Sequence, residues 1–496
     1  MNPLIRYQLA RMQRLNIYLI TLALSAIFCK AGAQENQGDH VVSPSDIPNT
    51  EMKAGTQDAA PFIIRNIIIV GNRKTKASII LREIPFKEGD HFQLPQLVTK
   101  FEDARRQLMN TTLFHEVVVA LKSFEGYNVD VLVDVKERWY IFPVPYFKVV
   151  DRNLNQWLVE HNASLDRVNY GVKLIYNNVT GYNDKLNIWF MSGYTKQVSM
   201  NYDRLYLDHR MKWGAKVGFA LGKNREVNYN TIDNKEVFLK DTNNFIRSFL
   251  RTNLEVTYRR AVKTRHRFGI AYTEEKVEDT IVKLNPSYFA SGRNNIRYPE
   301  LYYTMSFHNV DYIPYPLKGF ETEIGFSKKG FNQIVNVWEF NVLTGNYWQI
   351  LPKTYLSVNT AANLKLPFKQ PFINTRLLGY NELAMQGYEY YVIDGVAGGC
   401  LKTTLSKELF KFNIPFSISK RQTINYIPFR IYGKIYGNAG YAYNPQPGFN
   451  SLTNRMLYSW GIGLDIVTIY DVNIRLEWSF NQIGQNGLYL HKKTNF

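Results

Sequence analysis

Residues able to do chemistry are sparse in this chain, and none falls at a catalytic spacing. There is no Gly-x-Ser-x-Gly elbow to present a serine nucleophile, and no His-Glu-x-x-His pair to hold zinc beside a general base. The eight histidines are scattered, His40 among them. Of the two cysteines, Cys29 lies in an N-terminal apolar stretch, which leaves Cys400 alone. An intramolecular disulfide and a cysteine metal site are therefore not expected. The sequence predicts no enzymatic activity, no cofactor and no metal.

Charge is the stronger chemical signal. The formal net charge is +18, with 60 Lys and Arg against 42 Asp and Glu. Its densest run is Arg259-Arg260 followed by Lys263, Arg265 and Arg267, which reads as a solvated turn between strands. Because the basic residues are otherwise spread along the chain, nucleic acid is not expected as a partner. Anionic lipid headgroups and lipopolysaccharide of an outer membrane are the better match.

The elements that must carry these residues begin with a targeting segment. Arg6, Arg11 and Arg14 precede the apolar stretch from Leu15 to Phe28, and Ala31-Gly32-Ala33 gives the small-x-small pattern of a cleavage site, so 1–33 reads as a signal peptide. Residues 34–60 are polar, with Pro44, Pro48 and Gly55, and read as a flexible lead-in. Beyond Ala33 no apolar run is long enough for a spanning helix. A membrane protein of this sequence must then cross with strands, whose closure satisfies the backbone in hydrocarbon. Aromatic residues make up 15% of the chain while its mean hydropathy is −0.29, a balance that suits a barrel with only alternate residues facing lipid.

Residues 61–138 predict a compact βααββ domain. Arg65 to Val70 is isoleucine-rich and ends at Gly71-Asn72, a strand and turn. Lys76 to Ile84 reads as a short helix stopped by Pro85. A second helix from Gln93 to Met109 places Leu94, Leu97, Val98, Phe101, Ala104 and Leu108 at helical spacing. Val117 to Leu121 and Tyr127 to Val135 complete a three-stranded sheet around Glu125-Gly126.

Residues 139–496 lose the helical period and alternate. In Val472 to Asn481, Val472, Ile474, Leu476, Trp478 and Phe480 share one face, and Asn473, Arg475, Glu477, Ser479 and Asn481 share the other. The stretch from Phe429 and the segment from Phe320 to Phe326 repeat the pattern. A soluble sandwich would bury the apolar face and an outer-membrane barrel would turn it to lipid; periodicity alone does not separate the two. The leader, the aromatic excess and the lack of disulfides favour the barrel. About sixteen antiparallel strands fit the length, eleven before Leu383 and five after it.

The N-terminal block resembles a POTRA domain, the periplasmic module of the BamA/TamA superfamily. The resemblance rests on Ile69-Val70-Gly71-Asn72 with Thr75, on Gly89-Asp90 before the second helix, and on Thr112-Leu113-Phe114 with Val117. The barrel region resembles the same superfamily at three further places. His308-Asn309-Val310-Asp311 with Pro316-Leu317-Lys318-Gly319-Phe320 is similar to the family's aspartate, proline and glycine signature. Met385-Gln386-Gly387-Tyr388, followed by Asp394-Gly395, sits where the family carries its sixth extracellular loop, which folds into the lumen. Gly487-Leu488-Tyr489-Leu490-His491 with Phe496 is similar to the last-strand assembly signal.

The loop also departs from the family pattern. An arginine there is implied to anchor the loop to an acid on the inner wall, and this chain has Gln386, which can donate two hydrogen bonds but carries no charge. Glu339 or Glu477 could accept one. The resemblance implies an outer-membrane protein, its POTRA domain in the periplasm, that helps insert or translocate other outer-membrane proteins. Unfolded clients would pair with the POTRA sheet and with a weakly paired seam between strands near Tyr140 to Val149 and Gly487 to Phe496. Accessory lipoproteins are possible partners by the same resemblance. The alternative is a barrel that conducts solutes through its lumen.

Overall fold

The isoleucine run Phe62–Val70 forms a strand, β1, because its branched side chains suit a pleated, half-buried surface. The computed structural model describes residues 61–493 apart from 150–155, 161, 165–167, 194, 205, 242, 381–382 and 416–425. The leader and lead-in expected over 1–60, and Phe496, lie outside the described residues.

After β1 come α1 (Ala77–Glu83), β2 (His91–Phe92), α2 (Leu94–Asn110), β3 (Phe114–Glu125) and β4 (Asn128–Glu137). The sheet order is β2-β1-β4-β3, with β1 and β4 parallel and the other neighbours antiparallel. The expected three-stranded sheet thus gains a fourth, two-residue strand. His91 and Phe92 are too few to register as an alternating segment, yet they pair with Ile63 and Phe62.

A capping box starts α2: the Gln93 backbone N–H donates to Gln96 Oε1 at 3.2 Å, and Pro95 occupies the first turn, where its missing N–H is harmless. The helix buries Leu97, Ala104 and Leu108 against Val129, Val131 and Val133 of β4 and Ile64 of β1. Each fully buried aliphatic side chain of this size contributes about 1.5–3 kcal/mol. Leu94 and Val98, expected in the same stripe, are exposed, because they lie to one side of the line through Leu97, Ala104 and Leu108.

From Ile141–Val149 to Asn486–Lys493 the described residues form one sixteen-stranded antiparallel sheet in sequential order. Eleven strands precede the long connection after Thr354–Leu366, and five follow from Ala397–Pro415. A separate hairpin, Glu226–Ile232 with Lys235–Lys240, is inserted between Trp213–Asn224 and Arg247–Tyr258.

The sheet is rolled. Phe142 of the first barrel strand meets Tyr470, which lies between the third-last and second-last segments of the chain, at 5.3 Å between rings. Its polar face is inside. In Asn473–Asn481, Asn473, Glu477 and Ser479 are buried while Trp478 is 49% exposed. In Tyr426–Tyr443, Lys434 and Asn438 are buried while Ile435 is 54% exposed. A soluble sandwich would do the reverse. An apolar exterior wrapped around a buried polar interior is stable only where the outside is hydrocarbon.

Candidate functional site

The connection between Thr354–Leu366 and Ala397–Pro415 turns inward because it carries its own apolar cluster. Leu377, Leu378, Met385, Tyr388 and Ile393 are buried together with Ala442, Leu452 and Leu457. Leu378 and Ile393 exchange backbone hydrogen bonds at 3.0 Å, which pins the loop at its waist.

This folding sets the tip of the loop against the inward face of the last strands. Gln386 donates from Nε2 to Glu477 Oε1 at 2.7 Å. Of the two acids the sequence offered, Glu477 is therefore the acceptor; Glu339 is occupied by Lys329 at 2.5 Å and Asn363 at 2.7 Å. Gly387 has φ +85°, and a Cβ there would stand 3.0 Å from Ser459 Cβ and 3.1 Å from Phe480 O, so a side chain would push the tip off the wall. Asn481 donates to Gly387 O at 2.7 Å, and Tyr388 donates its hydroxyl to Tyr458 O at 3.1 Å.

Glu477 is the hub. Lys434 Nζ lies 2.5 Å from Glu477 Oε1 and 2.5 Å from Asp465 Oδ1, all three side chains being buried. His491 Nε2, from the last strand, lies 3.3 Å from Glu477 Oε2 and 3.4 Å from Glu389 Oε1 of the loop. Glu389, Glu477 and His491 are close enough to hold a divalent metal. Lys434 and Gln386 both bond Glu477 Oε1, and the cluster joins the loop to the terminal strands.

The other residues singled out in the sequence fall in three places. Asp394 is buried below the loop waist, where burial raises its carboxyl to about 6; Gly395 donates its N–H to Thr375 O at 2.6 Å. Tyr489 is buried in the lumen beside Tyr390, with ring centroids 5.7 Å apart, and Gly487 precedes it on the last strand. Asp311 caps the turn before Gly319–Lys329 by accepting from Leu317 N at 2.9 Å and Lys318 N at 3.1 Å, with Pro316 inside that turn. Gly319 has φ +108°, and a Cβ would stand 2.1 Å from Asn309 O. These three positions shape the hairpin and are not gathered at the loop.

That same turn receives the N-terminal domain. Asn110, the last residue of α2, donates to Val310 O at 3.3 Å and accepts from Ile313 N at 2.9 Å. Leu113 and Phe114 are buried in the domain core, and the Leu113 carbonyl accepts from Arg138 N at 2.9 Å. Val70, Gly71 and Asn72 end β1, with Asn72 Nδ2 donating to Thr75 O at 3.1 Å; Gly89 N donates to Ile64 O at 2.8 Å. Beside these, Thr75 and Tyr140 hydroxyls meet at 3.0 Å, and Arg138 lies 2.8 Å from Asp471.

The basic run corrects its sequence reading. Arg259 is no solvated turn residue: it is buried and paired with Glu83 of α1, with Tyr206 bonded to both. Burial alone would push the Glu83 carboxyl up, but Arg259 beside it and the Tyr206 hydroxyl hold it below the ordinary glutamate range. The ion pair joins residues 176 apart in sequence, and no local motif signals it. A cavity of about 520 Å³ adjoins it, lined by Arg106, Lys185, Lys263, Arg265 and Arg267 among others.

Known proteins are similar to parts of this chain. Residues 62–138 match the family model for POTRA, "Surface antigen variable number repeat". The outer membrane protein assembly factor BamA of Neorickettsia risticii (strain Illinois) is 39% identical over 77 residues, which is 16% of this chain and 10% of that protein. The matched stretch thus spans about a tenth of that relative's length. Among solved structures the chain is similar to BamA from Haemophilus ducreyi lacking POTRA domains 1–3, with TM-score 0.49 and 14% identity over 87% of this chain and 84% of that one. It is also similar to CdiB from Escherichia coli, with TM-score 0.46 and 9% identity over 90% of this chain and 91% of that one.

Proposed function

We propose that this chain, whose residues 62–138 match the POTRA family model, is a BamA/TamA-type protein that assists the insertion or translocation of other outer-membrane proteins. The observation that carries the reading is a POTRA-type domain joined to a sixteen-stranded sheet whose polar face is buried and whose apolar face is exposed. We place client entry at the seam between the first barrel strand, Ile141–Val149, and the last, Asn486–Lys493, which are the two ends of the sheet order. A seam that opens would offer its strand edges as templates for another chain.

The lumen loop supports the same reading. By holding Glu477 and His491 through Gln386 and Glu389, it keeps the last two strands in shape. The POTRA sheet offers a second edge at β3, where Val118, Leu121 and Phe124 are exposed, and a client segment in extended form would add there by β-augmentation. The apolar belt sits in the outer membrane, in contact with lipid and lipopolysaccharide, and the POTRA domain lies in the periplasm, within reach of accessory lipoproteins.

Depletion followed by quantitative outer-membrane proteomics tests this function. Loss of a defined set of barrel proteins is expected; an unchanged outer-membrane proteome would remove the reading. The solute-pore alternative has less support, since the apolar cluster of residues 377–393 occupies the inward space beside the last strands.

A further inference from the structure

We propose that Glu389, Glu477 and His491 form a binding site for a divalent transition metal, Zn²⁺ being the best fit, and that the ion ties the lumen loop to the last two strands. The inference stands apart from the insertion reading. It needs only the loop and the inner wall, and holds for a barrel of any activity.

The distances match a coordination shell. His491 Nε2 lies 3.3 Å from Glu477 Oε2 and 3.4 Å from Glu389 Oε1, and the ligand atoms of the three residues all lie within 4.8 Å of one another. Zinc holds imidazole nitrogen and carboxylate oxygen at about 2.0–2.2 Å, and two atoms on a tetrahedron of that radius stand about 3.3–3.6 Å apart. Three protein ligands with a fourth position for water is a shell that zinc accepts. An imidazole among so few ligands suits Ca²⁺ and Mg²⁺ poorly, since both favour oxygen shells of about six or more.

Bonds on the far side of each carboxylate hold it in place. Glu389 Oε2 accepts from Gly387 N at 2.8 Å, at the loop tip. Glu477 Oε1 accepts from Gln386 Nε2 at 2.7 Å and from Lys434 Nζ at 2.5 Å. The other oxygen of each, Glu389 Oε1 and Glu477 Oε2, is the one that faces His491. Outer hydrogen bonds of this kind orient metal ligands and strengthen their hold.

Charge favours a cation at this place. Glu389, Glu477 and Asp465 are all buried, and Lys434 is the cation shared between Glu477 and Asp465. Arg475 comes no closer to Asp465 than 3.9 Å. With His491 neutral, as a metal ligand must be, two neighbouring carboxylates share one lysine with a third. A dication meets the remainder where like charges side by side are costly. The His491 side chain is 33% exposed, which gives an ion a way in. Because Glu389 belongs to the loop, Glu477 to Asn473–Asn481 and His491 to Asn486–Lys493, the ion cross-links three elements that no sequence spacing connects.

The test uses the full chain folded in detergent micelles and stripped with a chelator, then titrated with zinc chloride by calorimetry and with cobalt(II) chloride by absorption. One Zn²⁺ per chain is expected. Co²⁺ should show the strong visible absorption of a four-coordinate ion and lose it when zinc is added. His491→Gln and Glu389→Gln should each weaken Zn²⁺ binding by about tenfold or more, whereas His266→Gln, whose ring bonds Tyr303 instead, should leave it unchanged. Heat-modifiable migration confirms that each variant is folded. Hydrogen exchange at residues 386–395 should slow several-fold with Zn²⁺ in the unaltered chain and not in His491→Gln. No saturable Zn²⁺ binding by the folded chain, or binding that His491→Gln and Glu389→Gln leave unchanged, would overturn the site. Binding at the site with unchanged exchange in the loop would overturn the cross-link. None of these readouts depends on client insertion.

Discussion

Gln386 and Glu477 stand 2.7 Å apart across 91 residues of sequence, and that one bond joins the tip of the lumen loop to the inner wall of the second-last strand. The glutamine supplies geometry without charge. Charge balance at Glu477 comes instead from Lys434, buried beside it.

Gln386→Ala should therefore loosen the loop modestly. A hydrogen bond to a charged acceptor is worth about 1.5–3 kcal/mol, so hydrogen exchange at residues 386–395 should speed up by about one to two orders of magnitude. Glu477→Gln should cost a similar amount, because Lys434 loses one charged acceptor but keeps its ion pair with Asp465 at 2.5 Å. Urea unfolding in vesicles measures both.

The junction between POTRA domain and barrel should depend on pH through Glu83. Its folded carboxyl titrates below the ordinary glutamate range, so its contribution to docking is present above that range and disappears as pH falls through the depressed folded value. Spin-label distances between α1 and the strand Thr264–Val277 should stay constant from neutral pH to mildly acidic pH and lengthen only below it. Arg259→Ala should lengthen them at neutral pH, at a cost of about 3–5 kcal/mol to docking.

Much of the fold was legible because alternation and length carry it. Sixteen strands, eleven before Leu383 and five after, follow from period-two segments such as Val472 to Asn481. Which face of those segments is inside was not legible, since the period is the same for Glu477 inward and Glu477 outward; only burial decides it. The loop motif drew attention to Gln386, but its acceptor stayed open between Glu339 and Glu477 because strand sequence gives the face and not the neighbour across the lumen. The Glu83–Arg259 pair had no signal at all: each residue looks like a surface charge until two domains meet.

The inside-out orientation makes its own prediction. Ile462 is 49% exposed on the outer face. Ile462→Lys should destabilise the barrel by about 2–4 kcal/mol if that position lies near the bilayer midplane, and less toward an interface. In a soluble sandwich an exposed lysine would change little. Urea titration in vesicles separates these outcomes.

Gly319 should be intolerant of a side chain. Gly319→Ala would force a left-handed residue against the Asn309 carbonyl, at a cost of about 1–3 kcal/mol, and should lower the yield of heat-modifiable barrel. Gly437→Ala, where an added Cβ meets nothing within 4 Å, is the control and should leave the yield unchanged.

Insertion by an opening seam is decided by locking it. The chain carrying Phe147→Cys, Leu488→Cys and Cys400→Ser is placed in phosphatidylcholine vesicles, and insertion of an unfolded barrel client is timed with the seam reduced and fully oxidised. Reduced protein should insert the client several-fold faster than empty vesicles, and oxidation should return the rate to that of empty vesicles. An oxidised seam that leaves the accelerated rate unchanged would contradict insertion between Ile141–Val149 and Asn486–Lys493.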